Sequence, residues 1–404
     1  MACLRYADCR ASSAFRPSSI RTAMFRRLSL AIAATLLAPS FTAHAHQSAQ
    51  HSIDRNFRNW SVVCDNTRRC IAESGGDDLD SRTGLIVRLT RDAGPDAQAS
   101  LELFATAPLD LHAARVDGRP FDVAPARWQA SDNHANDRTY PFHVRTDDAA
   151  TIDAWLGASR NAQTLSFGDP ASAATPSLSL SGLNAALLLI DDTQGRIGTV
   201  TALLRKGGRP AAAVPAAPAP PAAPTPAPPA ARLSAAEQRP LVDAVLAKFG
   251  GDVKRCAADM EDEMSPQARR QASQATSLSA DEALVSIPCQ TSSMYNHTDL
   301  WYRVRRSPPY APTPVDFGEN ANAGLDSASF VNELTQASYD PADATLSSLV
   351  RLRSAGDCGS SASWIFDGRR FVLSDVATNG TCNGMFPDQW ARLYRTAGAT
   401  ENRR

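Results

Sequence analysis

From Ala211 to Ala231 the chain is alanine and proline, broken only by Val214 and Thr225. A segment so composed cannot bury a core, and proline at that density favours extended polyproline geometry. At roughly 3.1 Å per residue such a stretch reaches about 65 Å. It divides the chain into residues 52–207 before it and 233–400 after it, with 208–232 as a Pro/Ala linker. Each flank is of ordinary domain length.

The first 45 residues carry a different signal. Met24-Phe25-Arg26-Arg27 is followed by the apolar run Leu28 to Ala38, and Thr42-Ala43-His44-Ala45 ends in the small residues that a signal peptidase reads. A basic start, a short apolar core and an Ala-x-Ala end define a secretory signal peptide. Cleavage is expected after Ala45, and translation is expected to start at Met24, which would remove Cys3 and Cys9. Six Arg and one Asp leave with residues 1–45, so 35 basic and 41 acidic residues remain, a net charge of −6. That balance and the absence of a dense basic run oppose nucleic-acid binding. No later segment is long and apolar enough for a transmembrane helix; Ala185 to Ile190 is too short. The expected compartment is the periplasm of a Gram-negative bacterium, or the medium outside it.

Six cysteines then remain: Cys64, Cys70, Cys256, Cys289, Cys358 and Cys382. An even count in an exported chain implies disulfides. If the linker separates independent domains, Cys64 pairs with Cys70. The other four allow three pairings, of which Cys256–Cys289 with Cys358–Cys382 is the sequential one.

The patterning predicts a mainly β protein. The N-terminal region reads as a β-sandwich-like domain with one or two short helices. Strands are expected at Trp60 to Cys64, Leu85 to Leu89, around Leu101 and Leu103, at Tyr140 to Val144, Thr164 to Phe167 and Thr199 to Leu204. Val116-Asp117-Gly118-Arg119 is a hairpin signal. Asp148 to Leu156, stopped at Gly157, predicts a short helix, and Leu183, Ala186, Leu187 and Ile190 form a helical stripe ended by Gly195. The C-terminal region reads as a disulfide-stapled α+β domain. Ser234 and Glu237 make a capping box for a helix ending near Gly250. Strands follow at Leu284 to Ile287, Leu300 to Val304 and Leu346 to Leu352. Trp364 to Leu373 predicts two arms around a two-residue Asp367-Gly368 turn.

No catalytic, cofactor or metal constellation emerges. Gly356-Asp357-Cys358-Gly359 leads into Trp364 with a faint likeness to the nucleophile segment of papain-type proteases. A thiolate there needs a downstream histidine, and the last histidine, His297, lies upstream. The bland alternative, a Cys358–Cys382 staple across a hairpin, is preferred. There is no Cys-x-x-Cys, no His-Glu-x-x-His, no Gly-x-Ser-x-Gly and no phosphate-binding Gly-rich loop. His112, His134 and His143 are scattered, and His46 and His51 fall in a polar N-terminal stretch. The acidic run Asp259 to Glu263 lacks the alternating ligands of a calcium loop.

Two segments stand out as candidate binding surfaces. Asp191-Asp192-Thr193-Gln194-Gly195-Arg196 puts two carboxylates against the negative end of a helix dipole. Either Arg196 compensates them locally, or Asp192, Gln194 and Arg196 form a polar site. Met294 to Tyr302 is dense in aromatic and amide groups, with Tyr295, Asn296 and Trp301 offering area and direction to a saccharide, peptide or protein surface. Core packing is the competing account of Tyr295 and Trp301.

These residues bring a resemblance into view. The opening Phe57-Arg58-Asn59-Trp60-Ser61-Val62-Val63-Cys64 with Cys70, the Asp191 to Arg196 segment with Gly198 to Leu203, and the later Cys289, Tyr295-Asn296, Gly356 to Gly359, Trp364, Asp367-Gly368 and Cys382 resemble a proteobacterial family of secreted or periplasmic proteins of unknown function. The N-terminal half is also similar to the invasion-associated locus B proteins, through its Trp60 to Cys64 opening, its Val116 to Arg119 hairpin and its Leu180 to Ala186 segment. That likeness implies a small, exported fold linked to host-cell invasion and no catalytic residue.

The leading expectation is a non-catalytic envelope protein that binds an envelope or host protein, or a cell-wall saccharide, with no cofactor. The rival is an envelope hydrolase using acidic residues near Asp192 or Asp357, because paired carboxylates leave no sequence signature.

Overall fold

Short β-prone runs separated by turn residues pair with their sequence neighbours, and most of the architecture follows from that habit. The computed structural model describes residues 52–75, 84–130, 139–169, 172, 175–259, 264–289, 295–318 and 330–398. The signal segment with Cys3 and Cys9, His46, His51, His134, Met294 and residues 260–263 of the acidic run lie outside them. Among the described residues the protein is mainly β, with four sheets and three disulfides.

In the N-terminal half, β1 (Ile53–Phe57), β2 (Trp60–Cys64), β3 (Cys70–Ser74), β4 (Leu85–Arg91) and β5 (Ala99–Ala105) run as successive antiparallel neighbours. β6 (Ala114–Val116), β7 (Arg119–Pro120) and β8 (Gln129–Ala130) precede β9 (Phe142–Thr146), which returns beside β5. After α1 (Ala149–Ser159) come β10 (Thr164–Phe167), β11 (Ser177–Ser179) and α2 (Leu183–Thr193). The sheets are ordered β1-β2-β3-β4-β5-β9-β8 and β11-β10-β6-β7. One core built on Trp60, Leu89, Leu103, Trp155, Leu165 and Leu187 joins them to both helices.

Local chemistry explains the joints. Asp117 and Gly118 both take positive φ, 49° and 74°, which a two-residue hairpin turn requires, and Val116 pairs directly with Arg119. Asp148 caps α1 by accepting the Thr151 N–H at 2.9 Å. That helix runs through Gly157 to Ser159, two residues past the predicted stop. Gly195 follows α2 with φ 69°, as expected of a helix end.

The predicted strand at Thr199 to Leu204 is instead a series of turns. Its backbone N–H groups at Leu203 and Leu204 bind the Asp191 carboxylate, each at 2.8 Å, in place of a neighbouring strand.

The C-terminal half opens with α3 (Ala235–Asp259) and α4 (Pro266–Ala272). The Ser234–Glu237 capping box is formed, with the Glu237 carboxylate accepting the Ser234 N–H at 2.8 Å. The helix does not end at Gly250. Its backbone breaks at Phe249 (φ −114°, ψ 16°) and resumes to Asp259, so the glycine pair follows a kink.

Next come β12 (Gln274–Ser277), β13 (Glu282–Pro288), β14 (Thr298–Arg305), β15 (Thr313–Pro314) and β16 (Glu333–Thr335), then β17 (Ser338–Asp340), β18 (Thr345–Arg351), β19 (Gly359–Phe366), β20 (Phe371–Asn379) and β21 (Ala391–Arg395). They form a sheet β12-β13-β14-β15, with β16 also on β14, and a meander β17-β18-β19-β20-β21. The β19–β20 turn is longer than predicted. Phe366 pairs with Phe371, and the Asp367 carboxylate accepts the N–H groups of Arg369 and Arg370, closing a four-residue loop.

All three disulfides follow the sequential pairing. Cys64–Cys70 links facing positions of β2 and β3, Cys256–Cys289 ties α3 to the end of β13, and Cys358–Cys382 joins the approaches to the β19–β20 hairpin. Cys358 is therefore no free thiol.

The Pro/Ala segment lies along the protein. Val214 is buried, the Ala227 N–H donates to the Phe366 carbonyl at 2.8 Å, and the Pro221 carbonyl accepts from Ala397 at 2.7 Å. The two halves also touch directly. Asn66 exchanges two 3.0 Å hydrogen bonds with the Arg395 backbone, Asp65 pairs with Arg395 at 2.8 Å, and Ile86, Phe104, Tyr140, Met385 and Trp390 form a shared apolar cluster.

Candidate functional site

Alternation along three strands of the C-terminal half makes a two-sided sheet. On β14, Leu300, Tyr302 and Val304 face one way and pack with Val285 and Ile287 of β13 against α3. Asp299 and Trp301 face the other way, in one line with His297 just before the strand. Leu284, Ser286 and Pro288 on β13, and Gln274 and Thr276 on β12, share that second face. Part of it is covered by the meander. Where the cover stops, these residues and Ala337, Ser338 and Tyr339 enclose a cleft of about 490 Å³. That is within the usual range for a small-molecule site.

Register explains the electrostatics. Asp299 sits opposite Pro288 on one side and Leu334 on the other. Neither neighbour offers a side-chain donor. Asp299 retains only 9% of its exposure, and among the described residues its nearest ionic partner is His297 at 3.9 Å, beyond hydrogen-bond reach. Burial pushes its carboxyl pKa up to about 6, opposed only in part by His297.

No Lys or Arg occurs among the described lining residues. Arg303, two residues beyond Trp301 on the same face, is paired with Glu282 and donates to the Arg369 carbonyl. Arg269 of α4 donates to the Pro288 and Cys289 carbonyls. Trp301, 6% exposed, has an indole N–H with no partner among the described residues. The arrangement is a half-open apolar and polar cleft with one unneutralised carboxylate, one imidazole and two aromatic rings. It can accept a hydrogen-bond donor or a cation, and it can exchange a proton near pH 6.

The other residues singled out from sequence are placed differently. Tyr295 reaches the Leu352 carbonyl at 3.5 Å, and Asn296 makes a two-way link to the Arg351 backbone at 2.9 and 3.2 Å. Both connect the start of β14 to the end of β18, while Trp301 alone of the three lines the cleft.

Asp192 is exposed, and the buried carboxylate of that segment is its neighbour Asp191. Gln194 and Arg196 are enclosed. Gln194 donates to the Arg68 and Arg91 carbonyls at 2.8 and 2.9 Å. Arg196 donates to Gln194, Thr201 and the carbonyls of Asp92 and Gly94, at 2.6 to 3.2 Å. Asp357 is buried in an ion pair with Arg353, 2.6 Å away, beside the Cys358–Cys382 bridge.

Asp299, His297 and Tyr339 are cleft residues that no motif in the sequence marks. The signal existed: His297, Asp299 and Trp301 stand at i, i+2 and i+4 and so must share a face once β14 is a strand. A second cavity lies between the halves, beside Asp54, Glu73, Arg88 and Thr378, but at about 10 Å³ it admits little more than one water molecule.

Three disulfides, a two-sheet cleft and no gathered metal set among the described residues define a stapled β-rich protein with a substantial pocket. The chain belongs to a family of proteins of unknown function, DUF1176, whose pattern it matches over residues 54–397. It is 33% identical over 351 residues to the uncharacterized protein YpfG of Escherichia coli (strain K12), a match that covers 85% of this chain and 92% of that one. No solved structure matches it. Among the described residues no helix is long and apolar enough to cross a membrane, and the three disulfides are consistent with a secreted or periplasmic protein.

Proposed function

We propose that this chain is an exported, non-catalytic binding protein of the bacterial envelope, and that the cleft beside Asp299 and Trp301 holds its ligand. The observation that carries the reading is a cleft of about 490 Å³ whose wall contains a buried carboxylate with no hydrogen-bond donor among the described residues. A folded protein normally satisfies such a group, so one left open in a concave site is consistent with a partner supplied from outside. The aromatic rings offer flat contact area, and Gln274, Thr276, Ser286 and Ser338 offer adaptable polar contacts. These features suit a small envelope component such as a saccharide unit or a short peptide. The likeness of the N-terminal half to the invasion-associated locus B proteins supports a place at the cell surface, and a host contact is a compatible use of the other faces.

The rival reading is a hydrolase with Asp299 as general acid, favoured by its raised pKa. It is disfavoured because Asp299 is the one carboxylate among the described residues that line the cleft, whereas glycoside cleavage needs two. Titrating envelope saccharides and peptides against the exported protein, read by tryptophan emission in wild type and Trp301→Phe, separates the readings. Saturable change that depends on Trp301, without turnover, supports binding. Turnover abolished by Asp299→Asn supports the hydrolase.

A further inference from the structure

The charge around the cleft narrows its ligand further. Asp299 is the one acidic group on the described lining, which contains no fixed cation. Arginines on the flanking elements are already engaged: Arg303 with Glu282 and the Arg369 carbonyl, Arg269 with the Pro288 and Cys289 carbonyls, Arg270 with Asp243. His297 is 3.9 Å from the carboxylate, at the more exposed end of the line. Two aromatic rings, Trp301 and Tyr339, line the same space. A buried carboxylate with aromatic neighbours is the chemistry that selects an organic cation, which gains an ion pair and ring-face attraction together. A neutral ligand gains neither, and an anionic one meets an uncompensated like charge.

We infer that the cleft selects ligands through a protonated amine seated against the Asp299 carboxylate, with the Trp301 and Tyr339 rings as its apolar surround. This rests on the binding reading above and adds the charge of the ligand. In an envelope such an amine has two chemical sources, an amino sugar with a free 2-amino group or the side chain of a lysine-type residue in a peptide.

Three probes decide the matter: glucosamine, its neutral N-acetylated form, and lysine amide, each titrated into the full exported protein at pH 7.5 and followed by the Trp301 indole N–H resonance. Glucosamine or lysine amide should saturate that signal, and the stronger of the two identifies the source. N-acetylglucosamine should bind at least about tenfold more weakly than glucosamine, the scale of one lost charge-assisted contact. Asp299→Asn, which keeps the side-chain shape, should remove the preference for the amine, and unchanged disulfide mapping and far-UV dichroism would show that the variant is folded. Trp301→Phe, which lacks that reporter and is read by titration calorimetry, should weaken amine binding while leaving the preference for the charged form. Equal binding of glucosamine and N-acetylglucosamine, unaffected by Asp299→Asn, overturns the inference and leaves the binding reading standing. No response to any probe up to about 50 mM, beyond the weakest affinities expected of a real site, overturns both.

Discussion

Two clusters of buried polar groups, one in each half, look alike in composition and differ in what surrounds them. In the N-terminal half, Asp191, Gln194 and Arg196 are enclosed, and every one of them meets backbone or hydroxyl partners at hydrogen-bond distance. In the C-terminal half, Asp299 and the Trp301 indole are almost as enclosed, yet neither has a hydrogen-bond partner among the described residues. The first cluster ties the α2 end and the turns after it to the edges of β3 and β4. The second faces a cleft. Burial of polar chemistry alone does not mark a site, and neither does one unpartnered atom, since the Trp155 indole N–H also lacks a partner among the described residues yet lies in the N-terminal core; what sets the second cluster apart is an unpartnered carboxylate on the wall of a cleft.

The largest expected effect breaks the saturated cluster. Arg196→Met removes the donor to four acceptors and the positive charge facing Asp191. It should cost about 3–5 kcal/mol in urea denaturation, the range for breaking a buried charged network. A loss below about 1 kcal/mol would mean that water replaces the arginine freely.

Next is the staple behind the cleft floor. Replacing Cys256 and Cys289 by serine opens a bridge across 33 residues and should cost about 3–4 kcal/mol by loop entropy, against about 2 kcal/mol for the six-residue separation of Cys64–Cys70. Equal losses would show that something other than loop length governs the two halves.

Asp299→Asn should act in the opposite direction. A carboxyl raised from 3.8 to about 6 in the folded protein binds protons that the unfolded chain has released, so its stability contribution falls as pH rises from about 4 to about 6 and is flat above. Removing the charge should therefore stabilise at pH 8 by up to about 3 kcal/mol, the free-energy equivalent of that rise, and the gain should vanish near pH 4. His297 is common to both proteins and Tyr339, held near 12 by burial and by Asp343 and Asp340, does not titrate in this window. The difference in melting temperature between wild type and variant, read across pH, reports Asp299 together with its interaction with His297. A variant less stable at pH 8 than at pH 4, relative to wild type, would reverse the sign.

The smallest effect is Trp301→Phe. It trims a ring from a side chain that also packs in the core with Leu284 and Leu346, and should cost about 1–2 kcal/mol, well short of a full truncation, while weakening ligand response. A large stability loss would return Trp301 to a purely structural role.

Much of this frame is legible in the residues. β2 is the predicted Trp60 to Cys64, the Asp117-Gly118 turn is the predicted hairpin, and the preferred disulfide pairing is the one formed. What escaped was tertiary. Thr199 to Leu204 has strand composition but is held by the Asp191 carboxylate from twelve residues away. The Pro/Ala segment shows its composition plainly, but not that Val214 finds a burial site or that Phe366 offers a carbonyl to Ala227. Asp299 was in view as part of an aromatic-rich stretch, and only its cross-strand neighbours Pro288 and Leu334 explain why its charge stands alone.

On this reading Asp299 is a carboxylate waiting for a cation. The direct measurement is the carbon-13 titration of the Asp299 side-chain carboxyl in the exported protein. A midpoint near 6, falling when glucosamine or lysine amide is added, is the predicted result. A midpoint near 4 that no amine moves would show the carboxylate already satisfied, and would contradict the account.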